Sequence, residues 1–443
     1  MKYILANLYS EYGRYIDSQR AIPSENDCLK PVERRLLVSV HESAPFGGKL
    51  QKSAKVVGHC IGSYHAHGDS ASYESLVNLV NRGLVEGQGN WGRRGWDDSP
   101  FAHMRYTECK EHKVLNSIIS KLLPYTPRKS IELDPEPLYL PSPVPIGIIG
   151  EGIITGIGFN ITRMPRYGYM DLLKRLYELI CNSETQTIIK PQFKDCIVKE
   201  TAPGEFEKIL KSGEGIIEVI PSLSTFNENT LIIQGIHPLF GFTKIKNFNI
   251  KYEEENEIPY FEVVDMWNYK SKTSLEVHIT PYKKKTLTED FVKKIIELIS
   301  GKINIKVNVV DENNNTVKQV GIDHLLLQSY SKWTSSYKNF ITHNIEKIKK
   351  EIFEIEIIEL IRNVILSTNS NDIEFIAKEV IKVNSNLNEQ DVISVCDKYR
   401  IRKLIQGNFD KIKLISELQQ LEQNLNNLSH TVLNILKSDF LKK

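Results

Sequence analysis

The pattern of apolar and polar residues is helical over the C-terminal third of the chain. Residues 323–366 contain neither proline nor glycine, and a continuous helix of this length would measure about 65 Å. From Leu414 to Ile435 an apolar residue recurs at alternating spacings of four and three, which is the seam of a coiled coil. Two long helices are therefore predicted on either side of a shorter helical region at 370–407. The seam alone leaves open whether it pairs within the chain or between two copies.

Shorter alternating segments follow one another between residues 166 and 320. Three strands are predicted from runs of apolar and β-branched residues: 215–220, 230–234 and 274–279. Two tracts rich in acidic residues or asparagine, 253–257 and 311–315, are predicted to be exposed turns. This is the pattern of a mixed α and β domain, without a catalytic signature.

The first 165 residues predict mainly helices separated by glycine-marked turns. Residues 53–61 and 69–80 predict two short helices joined by a glycine-containing turn, which is the spacing of a helix-turn-helix unit. Asp69 is expected to cap the second helix. An ordinary helical hairpin would give the same pattern.

The dipeptide Arg105-Tyr106 is the candidate for chemistry in this region. A phenol with an ordinary pKa near ~10 is a poor nucleophile at neutral pH, so it needs cationic stabilisation of the transition state. Arg105 could supply that charge for an attack by Tyr106 on a phosphodiester. The dipeptide by itself is equally compatible with a packed, amphipathic tyrosine.

Composition adds limits to this picture. A chain of 443 residues suggests about three domains. The net charge is only +2, from 57 Lys and Arg against 55 Asp and Glu. Residues 30–55, however, hold six Lys and Arg against Glu33 and Glu42. A local patch is therefore expected to carry any contacts with phosphate.

The cysteines indicate whether the protein works in a reducing or an oxidising compartment. Six are scattered without a Cys-x-x-Cys pair, which argues against a zinc site or a disulfide framework and fits a reducing compartment. The sequence has neither an 18-residue apolar run nor a signal-peptide core. A cytoplasmic location is expected, without membrane association.

Five short motifs follow one another in order along the first 110 residues. They are R-A-I-P at 20–23, L-K-P-V-E-R-R at 29–35, Y-H-A-H-G-D-S-A at 64–71, G-Q-G-N-W-G at 87–92 and M-R-Y-T-E at 104–108. Together they resemble the DNA-cleavage subunit of type IIA topoisomerases, the A subunit of DNA gyrase or topoisomerase IV. The resemblance is dense over residues 15–165 and thin afterwards. In length the chain is similar to the separate medium subunit of bacteriophage topoisomerases. Cys28 departs from the family pattern, which has glycine before Leu-Lys-Pro.

The resemblance implies a multidomain α+β protein with three parts. Residues 1–165 would form a winged-helix DNA breakage-reunion domain, and residues 166–320 an α/β tower domain. Residues 321–443 would form a long coiled-coil arm with a helical dimerisation gate. The globular dimer contact of this gate is expected at about 367–407.

The resemblance also implies the residues of a site. Tyr106 would attack DNA and become linked to a 5′-phosphate, assisted by Arg105, Arg20 and His65. Ile153 would be an apolar wedge that bends the duplex, while Ser70 and Glu74 occupy positions of the family's quinolone contacts. The residues expected to contact DNA are Lys30, Arg34, Arg35, His67, Ser70, Asn90 and Ile153.

ATP and Mg²⁺ are expected to bind to a partner, because the chain has no G-x-x-x-x-G-K-[ST] loop. The implied assembly is a heterotetramer that relaxes or decatenates double-stranded DNA, in which a homodimer of this chain joins an ATPase/TOPRIM B-type partner. No metal ligand is expected in this chain. One alternative is a non-catalytic architectural DNA-binding protein. Another is a metal-dependent phosphohydrolase that uses His65, His67 and Asp69 as ligands.

Overall fold

The computed structural model describes residues 2–92, 100–182, 186–235, 243–257, 259–265, 276–283, 286–311, 313–370, 372–384, 387–399, 404, 407 and 410–441. The chain divides into two compact units. The first comprises Met1–Ser336 with Leu436–Lys443, and the second comprises Tyr337–Ile435. The domain borders expected at 165 and 320 stay predictions.

The described helices are α1 (Lys2–Ile16), α2 (Pro31–Ser43), α3 (Ser53–Ser63), α4 (Asp69–Asn81), α5 (Lys113–Ile119), α6 (Tyr169–Ile180), α7 (Glu205–Ser212), α8 (Thr243–Asn256), α9 (Glu289–Ile299), α10 (Ile322–Thr368), α11 (Ile373–Val383), α12 (Glu389–Lys398), α13 (Lys411–Asn426) and α14 (Leu428–Leu441). A short π-helical turn, Asp17–Ala21, directly follows α1.

The described strands are β1 (Gln51–Lys52), β2 (Val85–Gln88), β3 (Glu108–Glu111), β4 (Arg128–Ser130), β5 (Pro135–Pro137), β6 (Ile153–Ile157), β7 (Ile161–Pro165), β8 (Cys196–Glu200), β9 (Glu214–Asn227), β10 (Thr230–Gln234), β11 (Phe261–Asp265), β12 (Glu276–Pro281), β13 (Gly301–Lys306), β14 (Asn308–Asp311) and β15 (Thr316–Gln319).

The N-terminal part of the first unit is built in the order α2, β1, α3, α4, β2, β3. Its three strands form an antiparallel sheet in the order β1-β3-β2. The helix α2 begins with Pro31 in its first turn, and Glu33 Oε2 accepts a hydrogen bond of 3.0 Å from Lys30 N, which satisfies a free donor at the helix start. Apolar side chains from α2, α3 and α4 form one buried core with residues of the sheet.

The two short helices predicted at 53–61 and 69–80 are confirmed as α3 and α4. The predicted cap is wrong, because Gly68 occupies the N-cap position of α4. Asp69 instead lies in the first turn, where its Oδ1 accepts from Ser70 N at 2.8 Å. A carboxylate in the first turn still complements the positive end of the helix dipole.

The first unit also contains a larger sheet. Seven strands follow the order β11-β12-β10-β9-β13-β7-β6, and β8 pairs with β9. The strands predicted at 215–220 and 230–234 lie in β9 and β10, and the third lies in β12, apart from Ser274 and Leu275, which are outside the described residues. The turn predicted at 253–257 is wrong, because residues 253–256 are the last turn of α8. Glutamate is a good helix former, and these side chains remain exposed.

The second unit contains the C-terminal helices. The long helix predicted at 323–366 is confirmed as α10. Residues 337–368 of α10 belong to this unit, and α11 and α12 lie in the predicted region 370–407. The seam predicted from 414 to 435 is interrupted at Asn427, between α13 and α14.

Ion pairs show how α10 and α13 are arranged within the second unit. Lys349 Nζ lies 2.8 Å from Glu422 Oε1, and Lys411 Nζ lies 3.2 Å from Glu356 Oε1. Since the residue number falls along α10 as it rises along α13, the two helices run antiparallel. This part of the seam therefore has a neighbour within its own chain.

Cys28 adopts a left-handed backbone conformation with φ of 55° and is fully buried. This is the position at which the family pattern has glycine, which enters that region without steric cost. A Cβ on Gly147 would lie only 1.8 Å from Cys28 O. The backbone of Cys28 is thus held in place by the close approach of a second segment.

Candidate functional site

Tyr106 lies in a tight turn immediately before β3. Its side chain is 69% exposed, and its backbone N donates to His103 O at 2.8 Å. The guanidinium carbon of Arg105 lies 5.7 Å from the centre of the Tyr106 ring. The turn therefore presents a solvent-accessible phenol beside a cation.

Buried contacts on both sides fix this turn to α3 and α4. Ser53 N donates to Thr107 O at 3.0 Å, and Thr107 Oγ1 donates to Ser53 Oγ at 2.8 Å. The hydroxyl of Tyr73 in α4 donates to Ala102 O at 2.8 Å and lies 2.7 Å from Thr107 Oγ1. These hydrogen bonds hold the backbone on both sides of Tyr106 against α3 and α4.

The turn at residues 87–92 packs against the backbone of Tyr106 and Thr107. Gly89 has φ of +110°, and a Cβ there would lie 3.3 Å from both Thr107 Cα and Tyr106 O. Asn90 O accepts from Ala102 N at 2.9 Å. The side chain of Asn90 also caps its own turn, since Asn90 Oδ1 accepts from Gly92 N at 2.9 Å.

His65 lies in the loop between α3 and α4, and it is buried. Its Nδ1 is 2.8 Å from Arg35 Nη1. The same guanidinium donates through Nε and Nη2 to both oxygens of Glu136, each at 2.7 Å, and through Nη1 to Glu132 Oε1 at 2.8 Å. Arg35 is therefore the centre of a buried group of two carboxylates and one imidazole.

Burial lowers the pKa of His65 to about 4, and the positive charges of Arg35, His67 and Arg20 act in the same direction. Burial acts to raise the pKa of Glu132, but hydrogen bonds from Arg35 and from Ala66 N outweigh it and lower that pKa. His65 is consequently neutral and Glu132 is ionised at neutral pH.

Arg34 and Arg35 do not fit the expectation that they contact the DNA backbone. Both are buried. Arg34 forms a two-pronged ion pair with Asp27, at 2.7 and 2.9 Å, and Arg35 is paired with Glu132 and Glu136 as described. A buried guanidinium whose charge is already neutralised stabilises the fold and is not free to grip a phosphate.

Arg20 is exposed on the π-helical turn Asp17–Ala21. The carboxylate of Asp17 is buried and accepts from Phe159 N at 2.8 Å and from Asn160 Nδ2 at 2.8 Å. Phe159 and Asn160 form the tip of the hairpin between β6 and β7. The turn that carries Arg20 is therefore bonded to this hairpin.

The same hairpin carries Ile153 and receives Lys30. Ile153 is half-buried at the start of β6, and Lys30 Nζ donates to Thr155 O at 3.0 Å. A Cβ on Gly156 would lie 2.2 Å from Ala21 O, so the close approach of the two segments requires glycine. The structure thus brings Arg20, Lys30 and Ile153 together around one hairpin.

The structure groups a different set of possible metal ligands from the set that the metal-binding alternative predicted. Within the described part of the chain, the side chains close enough to share an ion are His65, His67 and Glu132, with ligand atoms within 4.8 Å of one another. Asp69 is not in this group. The guanidinium of Arg35 already lies against His65 Nδ1, and a second cation beside it would be repelled.

The remaining predicted residues lie on α4 or just before it. Ser70 and Glu74 are exposed on α4, and His67 is partly exposed with its ring stacked on that of His65 at 4.3 Å. Between the described residues, no hydrogen bond, ion pair or ring contact joins Tyr106 to His65 or Arg20. The structure therefore shows two clusters, one around Tyr106 and one around His65.

The sequence interpretation missed Glu132 and Glu136. They lie about a hundred residues from Arg35, and no local motif links them to it. The only available signal was indirect. A buried arginine requires a carboxylate to pair with. Glu136 lies between two prolines, so its charge could not be explained as part of an ion pair along a helix.

The comparisons with known proteins identify the family of the chain. A family model for the A subunit of DNA gyrase/topoisomerase IV matches residues 20–441. The chain belongs to this family, and the resemblance seen in its motifs is confirmed. Among the described helices, none combines the length and the apolar character needed to cross a bilayer.

Individual relatives show how much of such a protein the chain represents. It is 25% identical to the DNA topoisomerase 4 A subunit of Streptococcus pyogenes serotype M3 over 474 residues, covering 98% of this chain and 56% of that protein. The values for the A subunit of the Streptococcus pneumoniae serotype 4 enzyme are 26% over 470 residues, 98% and 55%. The A subunit from Escherichia coli K12 is 33% identical over 230 residues, covering 48% of this chain and 30% of that protein. The chain therefore spans about half the length of the curated relatives that it matches from end to end.

Proposed function

We propose that this chain is the DNA-cleaving subunit of an ATP-dependent type II topoisomerase. The observation that carries the proposal is the exposed Tyr106 beside Arg105, on a turn fixed to two helices by buried hydrogen bonds. An exposed phenol with an adjacent cation, on a rigid support, is the arrangement that nucleophilic attack on a phosphodiester needs.

In the proposed reaction the Tyr106 oxygen attacks a DNA phosphorus. A phosphotyrosyl bond to the 5′ end forms, and the bond to the 3′ oxygen of the neighbouring nucleotide breaks. The Tyr106 hydroxyl loses its proton, and the leaving 3′ oxygen gains one to become a hydroxyl. Because one phosphodiester replaces another, the break can be resealed without an energy source. Arg105 and Arg20 would stabilise the extra negative charge of the transition state. His65 would contact a phosphoryl oxygen.

Mg²⁺ would supply further charge stabilisation at the scissile phosphate. Mg²⁺ prefers oxygen ligands in an octahedral arrangement. In the described residues the cluster of suitable separation contains two histidines and one carboxylate, which does not fit that preference. We therefore assign Mg²⁺ and ATP to an ATPase/TOPRIM B-type partner, in a heterotetramer that relaxes or decatenates double-stranded DNA in the cytoplasm.

The element order supports a division of labour along the chain. We infer a winged helix from the order α2, β1, α3, α4, β2, β3 with its three-stranded sheet. The large sheet would be the tower, and α10 with α13 would be the coiled-coil arm. The region at about 367–407 would make the twofold contact of a homodimer.

The alternatives are less well supported. A non-catalytic architectural DNA-binding protein would not need an exposed Tyr106 beside Arg105. A metal-dependent phosphohydrolase would need a cation beside the buried guanidinium of Arg35. Metal analysis of the purified chain tests the second alternative, because stoichiometric zinc or iron would support it.

The test of the proposal traps the cleavage complex with denaturant after incubation with DNA, Mg²⁺ and the partner subunit. The DNA is then digested, and the peptide that retains a nucleotide is sequenced. We expect a 5′-phosphotyrosyl peptide containing Arg105 and Tyr106. The chain alone should cleave little, and addition of the partner should restore cleavage. Robust ATP-dependent relaxation by the isolated chain would contradict this division of labour.

A further inference from the structure

The contacts of Arg35 determine which nitrogen of His65 carries the proton. A guanidinium has only hydrogen-bond donors. The 2.8 Å contact between Arg35 Nη1 and His65 Nδ1 therefore requires Nδ1 to accept. In a neutral ring the proton is then on Nε2, because a hydrogen bond at one ring nitrogen fixes the protonation of the other.

Four acceptor atoms hold the guanidinium itself in one orientation. The side chain of Arg35 is fully buried. Glu136 accepts two parallel hydrogen bonds from it, each at 2.7 Å, and Glu132 Oε1 and His65 Nδ1 share its Nη1 group, each at 2.8 Å. Two-pronged pairs of this kind fix geometry as well as charge. Arg35 therefore cannot turn away from His65 without leaving a buried carboxylate unpaired.

Glu132 connects this cation to the backbone beside the imidazole. Its Oε1 accepts from Arg35, while its Oε2 accepts from Ala66 N at 2.9 Å. Ala66 directly follows His65 in the chain. One carboxylate thus fixes both the group that binds His65 Nδ1 and the peptide unit next to His65.

We propose that Arg35 and Glu132 are positioning residues that hold His65 as the Nε2–H tautomer, so that His65 acts as a neutral hydrogen-bond donor. This inference rests on the proposed function. In this state Nδ1 uses its lone pair on Arg35, and Nε2 already carries a proton. His65 therefore has no free lone pair with which to take the proton from Tyr106, and it cannot be the general base of the cleavage reaction. Its Nε2–H can still donate to a phosphoryl oxygen.

The first experiment measures the tautomer in the full chain without DNA or partner. Nitrogen-15 chemical shifts of labelled histidines distinguish protonated from unprotonated ring nitrogens, and comparison with His65→Gln identifies the signals of His65. We expect an unprotonated Nδ1 and a protonated Nε2 at neutral pH. A protonated Nδ1, or a charged ring at pH 7, would overturn the proposal.

The second experiment perturbs the positioning residues. Arg35→Lys keeps the positive charge, but an ammonium cannot donate to both oxygens of Glu136 and to His65 Nδ1 in the same geometry. The nitrogen signals of His65 should therefore move towards those of a mixture of tautomers. Thermal melting shows whether this variant folds. In Glu132→Gln, cleavage in the presence of the partner should fall by about 10- to 100-fold, because small displacements in a site have effects of that size. Its affinity for a short DNA duplex should change by less than about twofold, because Glu132 would not touch DNA.

Asp134→Asn is the matched control for Glu132→Gln. It removes one carboxylate charge from the same loop, two residues away, and Asp134 makes its described hydrogen bond through its backbone N. We expect unchanged cleavage. If Glu132→Gln also cleaved at the rate of the unaltered chain, the positioning role of Glu132 would be refuted.

The pH dependence separates a neutral donor from a charged one. If His65 donates as a neutral ring, the ratio of cleavage rates between the unaltered chain and His65→Gln should be constant from pH 6 to 8. A charged donor would make that ratio fall as the pH rises through the ordinary imidazole pKa of ~6.5, and such a fall would overturn the proposal. If the unaltered chain formed no Tyr106-linked DNA with its partner, the proposed function and the role of His65 would both fail. The nitrogen shifts would then show separately whether the tautomer assignment had failed.

Discussion

Replacement of Tyr106 by phenylalanine removes a single oxygen atom and leaves the ring. The side chain is 69% exposed, and its hydroxyl takes part in none of the hydrogen bonds between described residues. The free energy of unfolding should therefore change by less than about 0.5 kcal/mol, as for other surface substitutions. DNA affinity should also change little, because the positive charges around the turn remain. Strand cleavage should fall by several orders of magnitude, because the substitution removes the proposed nucleophile.

The assay compares covalent DNA complexes of Tyr106→Phe with those of Tyr12→Phe, each with the partner subunit. Tyr12 is 57% exposed, so the control removes an equivalent hydroxyl from another surface of the chain. We expect complexes from the control and none from Tyr106→Phe. Relaxation of DNA by Tyr106→Phe would refute the assignment of the nucleophile. Attachment of the nucleotide to Tyr73, whose hydroxyl is held by Ala102 O, would refute it equally.

Three other predictions concern stability and assembly. Gly89→Ala should lower the free energy of unfolding by about 1–3 kcal/mol, because a side chain at φ of +110° is strained. Chemical denaturation measures this change. The control is Gly58→Ala, whose added Cβ would meet nothing within 4 Å, and it should leave the free energy of unfolding unchanged or slightly higher. The stability contributed by the neutral state of His65 should be fully present above pH ~6.5 and should decrease by up to about 3 kcal/mol as the pH falls to about 4, because the unfolded chain binds a proton there that the folded chain does not. Between pH 7 and 4 the free energy of unfolding should change less with pH for His65→Gln than for the unaltered chain. An equal pH dependence in the two proteins would contradict the pKa shift. Val383→Glu, at a 69% exposed position inside the proposed dimer contact, should shift sedimentation towards monomers. Ile412→Glu, at an 82% exposed position outside that contact, should not; a dimer of unchanged strength in the first variant would argue against a contact at this surface.

The regular elements were largely predictable from local sequence. The helix Ile322–Thr368 was evident because no proline or glycine interrupts it, and the strand Thr230–Gln234 because apolar residues are bounded by turn residues. The acidic tract at 253–257 was misjudged, because charge marks exposure and does not distinguish a helix from a turn. The break at Asn427 was missed because the apolar spacing continues across it.

The candidate site was predictable only in part. Motifs identified Tyr106 and His65, since these residues lie in short segments of distinctive composition. The state of His65 could not be predicted, because it depends on Glu132 and Glu136, which meet Arg35 through the tertiary fold. The same tertiary contacts reversed the interpretation of Arg35, which by sequence belonged to a basic surface patch.

The hairpin between β6 and β7 has a mechanical consequence. Its tip is bonded to Asp17, the first residue of the turn that carries Arg20, and Gly156 brings the two backbones close together. Ile153 stands on the same hairpin. A force that displaced Ile153 would therefore be transmitted through short, stiff connections to Arg20. If DNA bends around Ile153, as proposed, the bending of the duplex and the position of the Arg20 guanidinium would therefore change together.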